Sequence, residues 1–193
     1  MLTDEELMHA VQEGDLSAFE QIVHRHQQTA WRVACRFLVD PTEAEDVAQD
    51  AFLRILKAAP SYRPTAKFQT FLFQVVSRLC LDRASKKHPI YVEKVPEAIA
   101  EGASPGEVLE QLEKDQRVRG ALDDLPANQR ISVILRYYEE LSYQEIAVAM
   151  RVSPKAVERL LARARATLAL LLASPENKDP GSRGGFSRVA RLI

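Results

Sequence analysis

The stretch from Leu141 to Leu168, LSYQEIAVAMRVSPKAVERLLARARATL, constrains the fold of this chain more than any other. Ser142 to Met150 has the length and apolar spacing of a short helix, and Pro154 to about Leu172 that of a longer one capped by Ser153. Between them Arg151-Val152-Ser153 leaves room only for a tight turn. Ile146, Ala147, Met150, Val157 and Leu161 supply the inner contacts, with Ala147 small enough for a close crossing. Cap, turn and a charged front agree on a helix-turn-helix. A plain helical hairpin is the alternative. In the first reading Lys155, Glu158 and Arg159 face outward where a major groove would meet them, and Arg163 and Arg165 lie further along, towards the nucleic-acid backbone.

Helix signals dominate the rest of the chain, and no alternating strand of convincing length occurs, so the expectation is an all-α protein. Thr3 with Glu6, and Ser17 with Glu20, read as capping boxes opening a short first helix and a second running to about Leu38. The second is expected to turn Phe19, Ile22, Val23, Trp31, Ala34 and Leu38 inward. His24 and His26, two residues apart, point away from each other on a helix and do not suit a metal. Asp40, Pro41 and Glu43 open a third helix, stopped by Pro60. Its apolar stripe is Ala44, Val47, Ala48, Ala51, Phe52, Ile55 and Leu56. Asp46, Gln49, Asp50, Leu53 and Lys57 are left on another face, either a solvated helix side or an interaction surface.

From Ser61 to Asp82, SYRPTAKFQTFLFQVVSRLCLD interleaves rings with cations: Tyr62, Phe68, Phe71 and Phe73 with Arg63, Lys67 and Arg78, followed by Arg83, Lys86 and Lys87. Flat faces beside positive charge suit unstacked bases and phosphates. Phe71, Val75 and Leu79, and Phe68, Leu72 and Val76, also follow helical spacing, so some of these side chains must face a core. On the stretch alone the core reading is the ordinary one. Beyond it, residues 89–106 read as a flexible linker and 174–193 as a flexible tail, with a further helix expected from Ser104 towards Asp124 and another from about Ala127 to Tyr138.

The net charge of −1 over 193 residues hides a segregation. Met1 to Glu20 carries Asp4, Glu5, Glu6, Glu13, Asp15 and Glu20 and no Lys or Arg, whereas Arg54 to His88 holds only Asp82 against its many cations. A second basic block runs from Arg151 to Arg165, opposed only by Glu158. Two separated basic blocks in a nearly neutral chain point to two polyanion-facing surfaces. No apolar run approaches the roughly 20 residues that span a bilayer, and the acidic N-terminus is unlike a signal peptide, so a cytoplasmic protein without membrane insertion is expected. Cys35 and Cys80 lack a CxxC spacing and sit among apolar helical positions, as structural thiols do. No phosphate-cradling glycine loop, metal-ligand spacing or nucleophile motif occurs, so neither an enzyme nor a cofactor is expected.

Three stretches resemble the extracytoplasmic-function (ECF) sigma factors, the two-domain promoter-specificity subunits of bacterial RNA polymerase. AEDVAQDAFLRILKA is similar to the family's core-polymerase-binding helix, which assigns that role to Asp46, Gln49, Asp50, Leu53 and Arg54. FQTFLFQVVSRLCLDRASKK resembles the helix that captures and helps melt the minus-ten promoter element. The resemblance turns the aromatic-basic stretch towards bases, with Tyr62, Arg63, Lys67, Phe68, Phe71, Phe73, Arg78 and Arg83 as the expected contacts. LPANQRISVILRYYEELSYQEIAVAMRVSPKAVERLLARAR is similar to the minus-thirty-five-binding helix-turn-helix, implying Ser153, Lys155, Ala156, Glu158, Arg159, Arg163 and Arg165. Members often carry Asn where this chain has Arg78, and Thr and Ser-Arg where it has Ala156 and Arg159-Leu160. The resemblance implies two helical domains, residues 1–88 and 107–173. It also implies as partners core RNA polymerase, promoter DNA as duplex and melted strand, and an anti-sigma factor. A free-standing helix-turn-helix regulator is the competing expectation.

Overall fold

The computed structural model describes residues 2–86 and 118–172. Those residues are all-α, with no strand among them. The expected linker and tail, and most of the helix expected from Ser104, lie outside the described residues; residues 118–123, at that helix's end, are helical.

Helix α1 (Asp4–Gln12) starts in a true capping box: Glu6 N–H donates to Thr3 Oγ1 at 3.2 Å, and Thr3 N–H to Glu6 Oε2 at 2.7 Å. Helix α2 (Leu16–Leu38) does not start at Ser17. Its cap is Asp15, whose Oδ1 accepts from Ser17 N–H at 2.8 Å, Ala18 N–H at 3.2 Å and the Ser17 hydroxyl at 2.7 Å. An ionised carboxylate is the stronger acceptor, so it takes the free amides, and the hydroxyl becomes one of its donors. These bonds, the Ser17 hydroxyl first, hold the Asp15 carboxyl below its usual range.

The buried face of α2 is Ala18, Ile22, Ala30, Val33, Ala34 and Phe37. Of the six side chains expected inward, Ile22 and Ala34 are buried, whereas Phe19, Val23, Trp31 and Leu38 each stand one residue beyond a buried position and so about 100° round the helix. These four are only partly buried. Bulky side chains drew that reading, whereas helix contact is made where alanines let the neighbouring backbones approach.

Helix α3 (Pro41–Ala58) is capped by Asp40 and begins on Pro41, as expected, and a short 3₁₀ turn, Ala59–Ser61, ends it. Helix α4 (Phe68–Lys86) is wedged between α2 and α3, and a helix of the C-terminal half lies across it as well. That setting explains why Phe68, Leu72, Phe73, Val76, Leu79 and Cys80 are all buried. His26, which pairs with Asp4 at 2.7 Å, stacks beside the Phe68 ring at 5.1 Å, while His24 is exposed.

In the C-terminal half, α5 (Ala127–Tyr137) buries Ile131, Val133, Ile134 and Leu135. Helix α6 (Tyr143–Met150) opens in a second capping box, Ser142 with Glu145, and ends at Arg151, whose φ of +54° is left-handed. That residue reverses the chain, and Val152 N–H closes the turn on Ala147 C=O at 3.0 Å. Helix α7 (Pro154–Leu172) follows, with Ala156 N–H donating to Ser153 Oγ at 3.2 Å. Ile146, Ala147, Val157 and Leu161 are buried between the helices. The helix-turn-helix is therefore real geometry rather than a plain hairpin.

The two cysteines are free. Burial pushes the Cys80 thiol up to about 12 and raises that of the half-buried Cys35 as well. A thiol is nucleophilic only as thiolate. Iodoacetamide at pH 8 is therefore expected to leave Cys80 unmodified in the folded chain and to label it fully in denaturant, as intact mass will show. Equal labelling of both cysteines in the native chain would contradict this packing.

Candidate nucleic-acid interface

The outward face of α3 carries Asp46, Gln49, Asp50, Leu53 and Arg54 at or near the surface. Leu53 is 55% exposed, a large apolar side chain beside carboxylates and an amide. Next to it a groove of about 590 Å³ is walled by Phe19, Val23 and Trp31 of α2 and by Phe52 and Leu53 of α3. Three of the partly buried α2 side chains expected to face inward, Phe19, Val23 and Trp31, therefore line this groove, while Leu38 does not. The sequence signal was there, in bulky side chains one position off the alanine-rich stripe.

The aromatic-basic stretch divides into two populations. Phe68 and Phe73 are 1% exposed, so neither offers a ring face to a base; the expectation that they contact DNA is corrected, because both serve the core. Tyr62 and Phe71 form a half-buried pair at one corner, with ring centroids 5.3 Å apart and planes at 47°. The Tyr62 hydroxyl has no hydrogen-bond partner there, and burial raises its pKa. Arg63 and Lys67 flank the pair and are exposed.

The loop that presents these residues is held from α1. Gln12 Nε2 donates to Ala59 C=O at 2.9 Å and to Tyr62 C=O at 2.8 Å, and Phe68 N–H donates to Glu5 Oε1 at 3.0 Å. Neither Glu5 nor Gln12 could be recognised from sequence, since their partners lie 47 to 63 positions away, with no local pattern.

Arg83 is a second correction. Its guanidinium reaches α3, at 3.3 Å from Asp50 Oδ2 and 3.8 Å from Asp46 Oδ2, and donates to Glu43 C=O at 3.1 Å. Two hydrogen bonds and a longer ion pair to one neighbouring helix tie Arg83 of α4 to the carboxylate face in the free chain. Arg78, one turn earlier, is 74% exposed on its side chain and pairs with Asp82 at 3.0 Å. An exposed i,i+4 pair of this kind is worth about 0.3–0.5 kcal/mol, so it holds Arg78 only loosely.

On the helix-turn-helix, Lys155, Glu158, Arg159 and Arg163 are exposed on α7, Ser153 sits at its cap, and Ala156 and Arg165 are half-buried. The helix-turn-helix also meets the aromatic corner. A cleft of about 350 Å³ has Tyr62, Arg63, Phe71 and Gln74 on one side and Val148 of α6 on the other. Gln74 is not among the contacts expected from sequence, and no local pattern sets it apart from Gln69 on the same helix. Among the described residues, no His, Cys, Asp and Glu cluster could hold a metal ion, and no helix is long and apolar enough to cross a membrane.

Comparison with known proteins follows the same division. Residues 22–89 match the family model Sigma-70 region 2, and residues 115–168 match Sigma-70, region 4. The chain is 33% identical over 172 residues to the ECF RNA polymerase sigma factor SigM of Mycobacterium tuberculosis, covering 88% of this chain and 85% of that protein. It is 30% identical over 175 residues to the ECF RNA polymerase sigma-E factor of Escherichia coli, covering 85% of this chain and 91% of that protein. Among solved structures it resembles CnrH in complex with the cytosolic domain of CnrY, with a TM-score of 0.67, 27% identity, and coverage of 88% of this chain and 96% of that one. Two region matches in one chain, with relatives aligned along nearly their whole length, place this chain in the family of ECF sigma factors of bacterial RNA polymerase.

Proposed function

We propose that this sigma factor docks on core RNA polymerase through the α3 face centred on Leu53, reads the minus-thirty-five element with α7, and traps melted minus-ten bases at the Tyr62–Phe71 corner. The observation that carries the reading is the exposure of Leu53, 55%, among Asp46, Gln49 and Asp50, on a helix whose opposite face is fully committed to the core. The region 2 and region 4 matches support this reading over a free-standing regulator.

The division of labour follows from what each surface can offer. Duplex DNA exposes base edges in the major groove, where one good bidentate contact discriminates by about 1–3 kcal/mol. Base faces become available only after melting, when stacking on an aromatic ring contributes about 1–3 kcal/mol per base and offsets the lost base-pair stacking. Lys155, Glu158 and Arg159 on the exposed front of α7 suit the first task. Tyr62 and Phe71, flanked by Arg63 and Lys67, suit the second. The polymerase supplies the chemistry of RNA synthesis. A soluble bacterial cytoplasmic setting fits these partners. An anti-sigma factor is the further partner, a reading supported by the likeness to CnrH, solved with a domain of CnrY.

Gel-shift measurements with and without core polymerase test the scheme, since promoter binding is expected to be weak for the chain alone and tight for the holoenzyme. Within the holoenzyme, Glu158→Ala is expected to relax base preference at one minus-thirty-five position, because the carboxylate accepts from a cytosine amino group. Arg163→Ala is expected to weaken all sequences alike and to lower the salt slope by about one. A uniform loss from both changes would contradict the assignment.

A further inference from the structure

The groove between α2 and α3 has apolar walls and an acidic rim. Phe19, Val23, Trp31, Phe52 and Leu53 supply the apolar surface, and Glu45 stands exposed beside them with Gln49. Among the described residues lining the groove Glu45 is the only charged one, and no Lys or Arg is present. Its volume of about 590 Å³ is that of a ligand-binding cleft. Such a groove selects an occupant with apolar side chains on one face and cations on the other.

One stretch of the chain itself has that character. In residues 183–193, RGGFSRVARLI, the side chains Phe186, Val189, Ala190 and Ile193 recur at i, i+3, i+4 and i+7, the spacing of one helix face. Arg188 and Arg191 fall on the opposite face, and the stretch carries no acid. Isolated helices shorter than about 12–15 residues are marginal in water, so so short a stretch needs a surface to order it. Helix α7 ends at Leu172, and residues 173–185 between it and Phe186 extend to about 45 Å at most. A compact chain of this length has a radius of gyration of about 16 Å, which puts the groove within reach.

We infer that residues 186–193 dock in the α2–α3 groove of the same molecule, apolar face inward and Arg188 and Arg191 towards the Glu45 rim, so that core polymerase must displace them to reach Leu53. This rests on the proposed docking role of the α3 face. Tethering makes a weak contact sufficient. A short tether supplies an effective concentration on the order of 1 mM, so a segment whose free peptide binds at about 0.1 mM occupies the groove in roughly nine chains of ten. Affinity for polymerase then falls with the open fraction, about tenfold.

Trp31 is the single tryptophan of the chain and lines the groove, so its fluorescence reports occupancy directly. The test compares the full chain with the full-length double variant Phe186→Asp, Ile193→Asp, by acrylamide quenching of Trp31 and by competition for core polymerase. The variant is expected to raise Trp31 quenching and to tighten assembly about tenfold. A peptide of residues 183–193, added to the variant at about 1 mM, is expected to return quenching to the parental value. Equal quenching in parent and variant would overturn the inference. So would a variant whose one defect is weaker promoter binding, since the arginines would then serve as a DNA-binding arm. Higher quenching with unchanged polymerase affinity would overturn the displacement step. Parental assembly by Leu53→Asp would sink the docking reading instead, and the Trp31 comparison decides the tail independently of it.

Discussion

Phe73→Ala is expected to lower the stability of the chain by about 3–5 kcal/mol, the usual cost of removing a fully buried phenylalanine. Phe73 is 1% exposed in the region where α4 meets its neighbours, so the lost ring leaves a cavity that packed helices cannot collapse to fill. With domain stabilities of about 5–15 kcal/mol, such a loss brings much of the population near unfolding at physiological temperature. Phe71→Ala, two residues away, is expected to do the reverse. Its ring is half-buried at the aromatic corner, so helicity and melting temperature should change little, while capture of a melted strand by holoenzyme weakens roughly five- to 150-fold, matching about 1–3 kcal/mol of stacking. Thermal denaturation and permanganate footprinting of the open complex measure the two effects. Comparable destabilisation by both variants would mean that Phe71 is a core residue and the corner is not a base-binding surface.

Leu53→Asp is expected to cost the holoenzyme roughly tenfold to a hundredfold in assembly, with the fold untouched. Burying a leucine contributes about 1.5–3 kcal/mol, and 1.4 kcal/mol is a factor of ten. Leu53 is chosen over Asp50 because Asp50 also holds Arg83 at 3.3 Å. Charge reversal at Asp50 would therefore disturb the α3–α4 tie as well as any partner. Leu53 projects to solvent and can be changed alone. Competition against the unlabelled parent for core polymerase gives the ratio, and parental affinity in the variant would remove this face from the docking surface.

Legibility from sequence followed the range of the interaction. Caps and turns are readable where the deciding atoms are within three residues and one polar side chain stands alone, as at Asp40, Ser142 to Met150 and Ser153. The helix-turn-helix was readable for the same reason. At Ser17 the reading failed by two residues, because two adjacent polar side chains compete for one set of amides and only geometry decides between them. Burial was harder to read. Phe68, Phe71 and Phe73 are chemically identical and lie within one and a half turns, and nothing local says that α4 is covered on so much of its circumference. Arg83 and Arg78 were equally alike on paper; what separates them is the presence of Asp46, Asp50 and Glu43 C=O across from one and open solvent beside the other. Chemistry type came from sequence, and addressing came from tertiary contact.

The clamps on the 62–67 loop have a kinetic consequence. Gln12 and Glu5 fasten the two ends of that segment to α1, so its conformation is settled when the chain folds. Ordering a free residue costs about 1–2 kcal/mol, and a slack loop would have to meet that cost during the encounter with DNA. In the proposed capture step, the fastened loop moves that cost out of the binding event and into the folding of the protein. Tightness at the aromatic corner then resides in how long a base remains on Phe71, whereas α1, which touches no base in this scheme, governs how often an arriving strand finds the corner ready.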